Sequence, residues 1–225
     1  MKISMFVLAC GLGLIVSGCA TDRKAIVTHL PPPAYETRPA PRVTERHFAP
    51  PAAPRPRVEQ VPRNWSPPGG VSNRWKTIVI HHSASQSGNA RKFDSYHRNV
   101  NHWDELGYHF VIGNGTDSGD GEVEVGSRWV KQKHGAHCKT QNNYYNDHGI
   151  GICLVGDFRR SGPSPAQMRS LTRLVRFLTR QCRIGAEGIV SHGGVTGKTI
   201  CPGPRFPMYA LRSALMSNRG ASYLP

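Results

Sequence analysis

The sequence predicts an α/β domain, a mixed central β-sheet flanked by helices, behind a leader and a tether. Three observations predict it. Short apolar runs bounded by glycine or polar residues recur: TIVIHH at 77–82, LGYHFVI at 106–112 and GIGICLVG at 149–156. Segments with helical spacing of apolar residues separate them, and strands that alternate with helices build layered α/β folds. Residues 1–74 differ in kind, with an apolar leader followed by proline-rich chain.

The leader, residues 1–18, has a charged start, Met1-Lys2, and an apolar run over 3–16. That is the pattern of a secretory signal, and it falls short of the roughly 20 apolar residues of a membrane span. The run ends in Val16-Ser17-Gly18-Cys19, which resembles the lipobox of bacterial lipoproteins. The resemblance implies that Cys19 is acylated and becomes the membrane anchor. Ala20 after it points to the outer membrane, facing the periplasm. Residues 19–74, with PPPAYETRPAPR and FAPPAAPRPRVEQVPR, bury too little apolar surface to offset their ordering entropy. They are expected to be a disordered, partly polyproline tether to a head spanning 75–225.

Within the head, 77–81 is the first strand. Phe93, Tyr96, Val100 and Trp103 give an amphipathic helix from about 89 to 101. Residues 106–112 are a second strand, and 122–125 an alternating partner after the loop TDSGDG. The acids of that loop, Asp117 and Asp120 with Glu122, are read as a solvated hairpin end rather than a calcium site. The run at 149–156 is a strand buried on both faces. Ser164, Pro165 and Gln167 open a helix with a capping box, and Met168, Leu171, Leu174, Val175 and Leu178 form its inward stripe. Gly185 is its expected stop, and Arg169, Arg173, Arg176 and Arg180 its solvated face. Residues 189–191 form the last strand and 207–216 the last helix.

The net charge of +15 suits an anionic partner. Nucleic acid is excluded by export and by the absence of any nucleic-acid motif, which leaves an anionic cell-wall polymer. Cys138, Cys153, Cys182 and Cys201 remain in the head, where an oxidising compartment permits pairing that sequence cannot assign.

The chemistry gathers at strand ends. His81 and His82 close the first strand, His192 follows the last, and Cys201 stands nine residues later. Two imidazoles and a thiolate would make a three-ligand zinc site with an open position. Zinc in such a site lowers the pKa of a bound water to about 7 and polarises a carbonyl. Adjacent strand residues face opposite ways, so only one of His81 and His82 can reach the metal.

At these residues the chain resembles the zinc-dependent N-acetylmuramoyl-L-alanine amidases, the family of the phage lysozyme-type amidases and the peptidoglycan recognition proteins. TIVIHHSAS, LGYHFVIGNG, VGSRW, GAH at 135–137, YNDHGIGICLVG and SHGGVTGKTICPG carry the resemblance in order, over about 75–217. It implies that family's fold, and zinc on His81, His192 and Cys201. It implies Tyr108 as the catalytic tyrosine, with Lys198 or Thr199 as the transition-state donor; the longer reach of Lys198 favours it. Arg128, His137 and Asn146 match substrate-groove positions, with loop stabilisation as the other role of His137 and Asn146. His82 is either a support to the metal or packed, and His109 is structural. Cys153 stands where some amidases place a glutamate base, and CKTQNNY lengthens the GAH block by about four residues.

The implied activity is cleavage of the amide between the lactyl group of N-acetylmuramic acid and L-alanine, with peptidoglycan or muropeptides as partner and a monomer as the working form. The other reading is a peptidoglycan-binding module without catalysis. A thiol mechanism with Cys201 as nucleophile and His192 as base explains neither His81 nor Tyr108.

Overall fold

The computed structural model describes residues 60–216. The leader, Cys19 and the 19–59 part of the expected tether lie outside the described residues. In chain order the elements are β1 (Thr77–His82), α1 (Ala90–Asn99), β2 (Phe110–Ile112), β3 (Val123–Val125), α2 (Ser127–Val130), α3 (Tyr144–Asp147), β4 (Gly149–Leu154), α4 (Pro165–Cys182), β5 (Ile189–Ser191), α5 (His192–Thr196) and α6 (Met208–Met216). The five strands form one mixed sheet in the order β3-β2-β4-β1-β5. β1 runs parallel to β4, with Thr77 opposite Gly149 and His81 opposite Cys153. β5 is parallel to β1 and β2 to β4, whereas β3 is antiparallel to β2.

The pleat of β4 explains how the sheet serves two purposes. Its large residues, Ile150, Ile152 and Leu154, join Ile78, Ile80, Phe110 and Ile112 in the main core beneath Leu171, Leu174, Val175 and Leu178 of α4. Burying each such side chain stabilises the fold by about 1.5–3 kcal/mol. The intervening residues, Gly149, Gly151 and Cys153, are small and face the other side. There Cys153 sits with Leu106, Val111 and Val155 in a lesser cluster. The strand is buried on both faces as expected, but its second face is a hollow that other side chains fill.

α4 begins as the sequence predicts. The Ser164 hydroxyl accepts from the Gln167 amide at 3.0 Å, and the Gln167 side-chain oxygen accepts from the Ser164 amide at 3.1 Å. Such a cap is worth about 1 kcal/mol. The helix ends at Cys182, where Arg183 takes the left-handed conformation (φ 56°), so the stop comes before Gly185. Two arginines of the expected solvated face have structural work. Arg173 lies over the Trp65 ring at 5.4 Å, and Arg176 donates to the Ala214 carbonyl.

Two expectations need correction. Residues 60–74, assigned by composition to the tether, are folded onto the head. Trp65 is buried against Phe177, Trp129 donates its indole N–H to the Trp65 carbonyl, and Gln132 ties the Ser72 amide to the Trp75 indole. Averaged proline content hides a single anchoring tryptophan. α1 also packs by a narrower edge than its periodicity predicts. Phe93 and His97 turn inward, but Tyr96 and Val100 are each 55% exposed. Trp103 lies beyond the helix and packs against His97, the rings tilted by 34° with centroids 4.6 Å apart.

Candidate metal centre

The first ligand candidate sits near the carboxyl end of β1 on the hollow face. His81 is buried, with ring centroids of His192 at 4.7 Å, His137 at 5.0 Å and Tyr108 at 5.3 Å. His192 is placed by the β5–α5 junction, where the Ser191 hydroxyl accepts from the Gly194 amide and starts a helix at His192 itself. Cys201 is returned to the sheet by the loop after α5. Its carbonyl accepts from Gly193 N–H at 2.7 Å, and the Thr199 hydroxyl accepts from its amide at 3.2 Å. One ligand atom from each of His81, His192 and Cys201 lies within 4.8 Å of the others, and among the described residues this is the one cluster of metal-ligating side chains so placed.

The donor set fits zinc. Burial, with the neighbouring imidazoles His137, His192 and His82, holds His81 well below the usual histidine pKa; burial, then His82, lowers His192 as well. Both rings therefore carry lone pairs at neutral pH. Burial pushes the Cys201 thiol up to about 11, against the lowering hydrogen bond from the His82 amide. A sulfur in that setting becomes a thiolate only when a cation takes its proton's place. The Cys201 Sγ to His81 Nδ1 distance is 3.8 Å. Two donors at zinc distances of about 2.0 and 2.3 Å in a tetrahedron stand about 3.5 Å apart.

The other expected residues fall as follows. His82 turns to the opposite face, where its ring lies beside Phe158 at 5.9 Å and its Nδ1 accepts from the Phe158 amide. Its own backbone N–H points to Cys201 Sγ at 3.4 Å. Tyr108 precedes β2 rather than lying in it, since regular pairing begins at Phe110. Burial, then the Cys153 and Cys201 sulfurs, raises the Tyr108 phenol well above its ordinary pKa, so it keeps its proton. His109 is buried and structural: Nδ1 accepts from the Gly151 amide and Nε2–H donates to the Lys133 carbonyl.

A cavity of about 480 Å³ opens beside the cluster, lined by Trp103, His137, Asn146, His192, Lys198 and Thr199 among others. Five expected site residues thus share one wall. Their chemistry differs. Asn146 accepts from the amides of His137 and Cys138 and donates to Asn143, so it holds the loop while also lining the cavity. Thr199 is engaged with the Cys201 amide, whereas the exposed Lys198 ammonium has no ion-pair partner among the described residues. Arg128 departs from expectation. It is fully buried, donates to the Leu106 and His134 carbonyls and pairs with Asp104, so it clamps the loops around Tyr108 and is not part of the cavity wall.

Sequence reasoning missed Trp103, Lys139 and Thr196 in the lining. Trp103 had been assigned to the helix stripe, and Lys139 belongs to the lengthened block. Cys138, Cys153, Cys182 and Cys201 are all free thiols, so none of the permitted pairings is made.

A mixed sheet that collects two imidazoles and a thiol beside a polar-walled cavity defines a class: an α/β domain with a candidate three-ligand metal centre. The family model described as N-acetylmuramoyl-L-alanine amidase matches residues 71–204, and the chain belongs to that family. It is 32% identical over 101 residues to peptidoglycan-recognition protein 2 of Holotrichia diomphalia, covering 41% of this chain and 48% of that protein. To the N-acetylmuramoyl-L-alanine amidase of Sus scrofa it is 29% identical over 141 residues, 56% of this chain and 21% of that one. The chain therefore spans less than half the length of either relative. The amidase LysC from Clostridium intestinale URNW superposes with a TM-score of 0.55 at 28% identity, covering 69% of this chain and 95% of that structure. Its mixed sheet flanked by helices is the architecture of this domain.

Proposed function

We propose that this protein is a zinc-dependent peptidoglycan amidase that hydrolyses the bond between the lactyl group of N-acetylmuramic acid and L-alanine. The observation that carries the reading is the His81, His192 and Cys201 cluster with the protonated Tyr108 phenol against it. Zinc bound there supplies a water that ionises near pH 7 and a Lewis acid for a carbonyl. The chain's own groups do the rest. The Tyr108 hydroxyl donates to the amide oxygen as charge develops on it, in a setting dry enough for such a donor to count. The Lys198 ammonium, at the cavity wall, adds positive charge there. Trp103 and His137 bound the cavity beside the cluster. Cys153 offers no carboxylate base, and its thiol, raised by burial, stays protonated. The basic charge of the chain favours approach to an anionic wall polymer. An acylated Cys19 would keep the enzyme beside a membrane, and the outer membrane facing the periplasm is the proposed location.

The test is digestion of purified sacculi by the protein. Peptides bearing a free N-terminal L-alanine should be released, the release lost on chelation and restored by zinc. Binding to sacculi without release, in a preparation that takes up no metal, would instead establish a recognition module.

A further inference from the structure

A zinc-ligating histidine must present a bare nitrogen, and something must hold its proton on the other one. For His81 that partner is a second histidine. His81 Nε2 lies 3.1 Å from His137 Nδ1, and His137 Nε2 lies 3.2 Å from the Gly149 carbonyl oxygen. A carbonyl only accepts, so His137 carries its proton on Nε2 and offers a lone pair at Nδ1. His81 must then donate from Nε2, which leaves its Nδ1 bare. That is the atom facing Cys201 Sγ at 3.8 Å.

The surrounding chain is shaped to keep His137 there. A Cβ on Gly135 or on Gly151 would come within 2.4 Å of the His137 ring, so both positions leave room for the imidazole and for nothing more. Asn146 fixes the backbone by accepting from the His137 and Cys138 amides, each at 2.8 Å. The two rings meet edge to face at 80°. The small face of β4 thus serves as the seat of this second imidazole.

We infer that His137 is a positioning residue for the metal centre: it accepts the Nε2 proton of His81, with Gly149 oxygen fixing its own tautomer, so that His81 Nδ1 is presented to zinc. This rests on the reading of His81 as a ligand. The same ring edges the cavity, but its work is done through His81.

Two experiments test it. A long-range proton–nitrogen NMR spectrum of the zinc-free wild-type protein reads the His81 tautomer directly. A proton on Nε2 supports the inference, and a proton on Nδ1 overturns it, with no substitution and no dependence on activity. Zinc affinity is then measured by competition with a chromophoric chelator for two variants. H137F keeps a ring in the slot but no acceptor, and should bind zinc about 10- to 100-fold more weakly. H137Q offers an amide oxygen to the same proton and should recover most of that loss. Wild-type affinity in H137F, or equal weakness in both variants, would overturn the inference. If the wild-type protein binds no zinc and releases no peptide, the amidase reading fails by itself, while the tautomer remains measurable.

Discussion

Cys201 Sγ lies 3.4 Å from the backbone N–H of His82, although the His82 side chain faces the far side of the sheet. Adjacent histidines therefore contribute differently, one by its ring and the other by its amide. His81→Ala should abolish zinc binding. His82→Ala should keep stoichiometric zinc but lower unfolding stability by about 1–3 kcal/mol, because the Phe158 amide loses its acceptor in a buried setting. Metal analysis and denaturant melts separate the two, and the reverse pattern would reassign the ligand.

Tyr108→Phe removes a donor and leaves the ring. Zinc content should be unchanged and kcat should fall about 100- to 1000-fold. Steady-state kinetics on a soluble muropeptide would measure this, and a change confined to KM would argue that the phenol only binds substrate.

Lys198 and Thr199 should separate by metal affinity. Lys198→Met should lower kcat at full zinc occupancy, since the ammonium stands at the cavity wall without an ion-pair partner among the described residues. Thr199→Val removes the acceptor for the Cys201 amide and should weaken zinc binding as well. Equal kcat for Lys198→Met and wild type would pass the donor role to Thr199.

Zinc uptake at pH 7 should release at least one proton, that of the thiol, with a further fraction from a metal-bound water that ionises near that pH. Both ligand imidazoles are already neutral, whereas the Cys201 thiol, pushed up to about 11, is protonated and must ionise to bind. Calorimetric titration in buffers of different ionisation enthalpy counts the protons. A count near zero would mean that sulfur does not bind as thiolate.

The zinc-free protein should lose stability in mild acid. Burial foremost lowers His81, His109 and His137, the last to about 3. Their unfolded pKa is about 6.5, so below that value the unfolded chain binds more protons than the folded one. The contribution is full above about pH 6.5 and shrinks as pH falls towards the folded values. Asp104, held at about 2 chiefly by Lys133, and Asp157, held there by Arg159, add their own loss only below about pH 4. Thermal midpoints between pH 7.5 and 4.5 isolate the histidine part, and a flat profile would contradict it.

How much was legible follows from range. The cap and stripe of α4 and the strands expected at 77–81 and 149–156 are local patterns, and the strands are found at 77–82 and 149–154. The candidate trio was legible through resemblance, because His81 and Cys201 are distant in sequence and meet only in the fold. What escaped depends on distant partners. Tyr96 and Val100 match a helix stripe, yet no element among the described residues covers them. Arg128 reads as a groove residue until its donors are traced to Leu106, His134 and Asp104. Trp65 anchors a stretch whose proline content argues for a free chain.

The small-residue side of β4 also bears on any attempt to engineer robustness. Replacing glycine by alanine within a strand is an ordinary route to a tougher protein, since it narrows the unfolded ensemble. At Gly151 that gain would be bought with a methyl group 2.4 Å from an imidazole carbon. A library selected for heat tolerance alone would therefore enrich folded molecules that have lost the His137 seat beside the candidate metal centre.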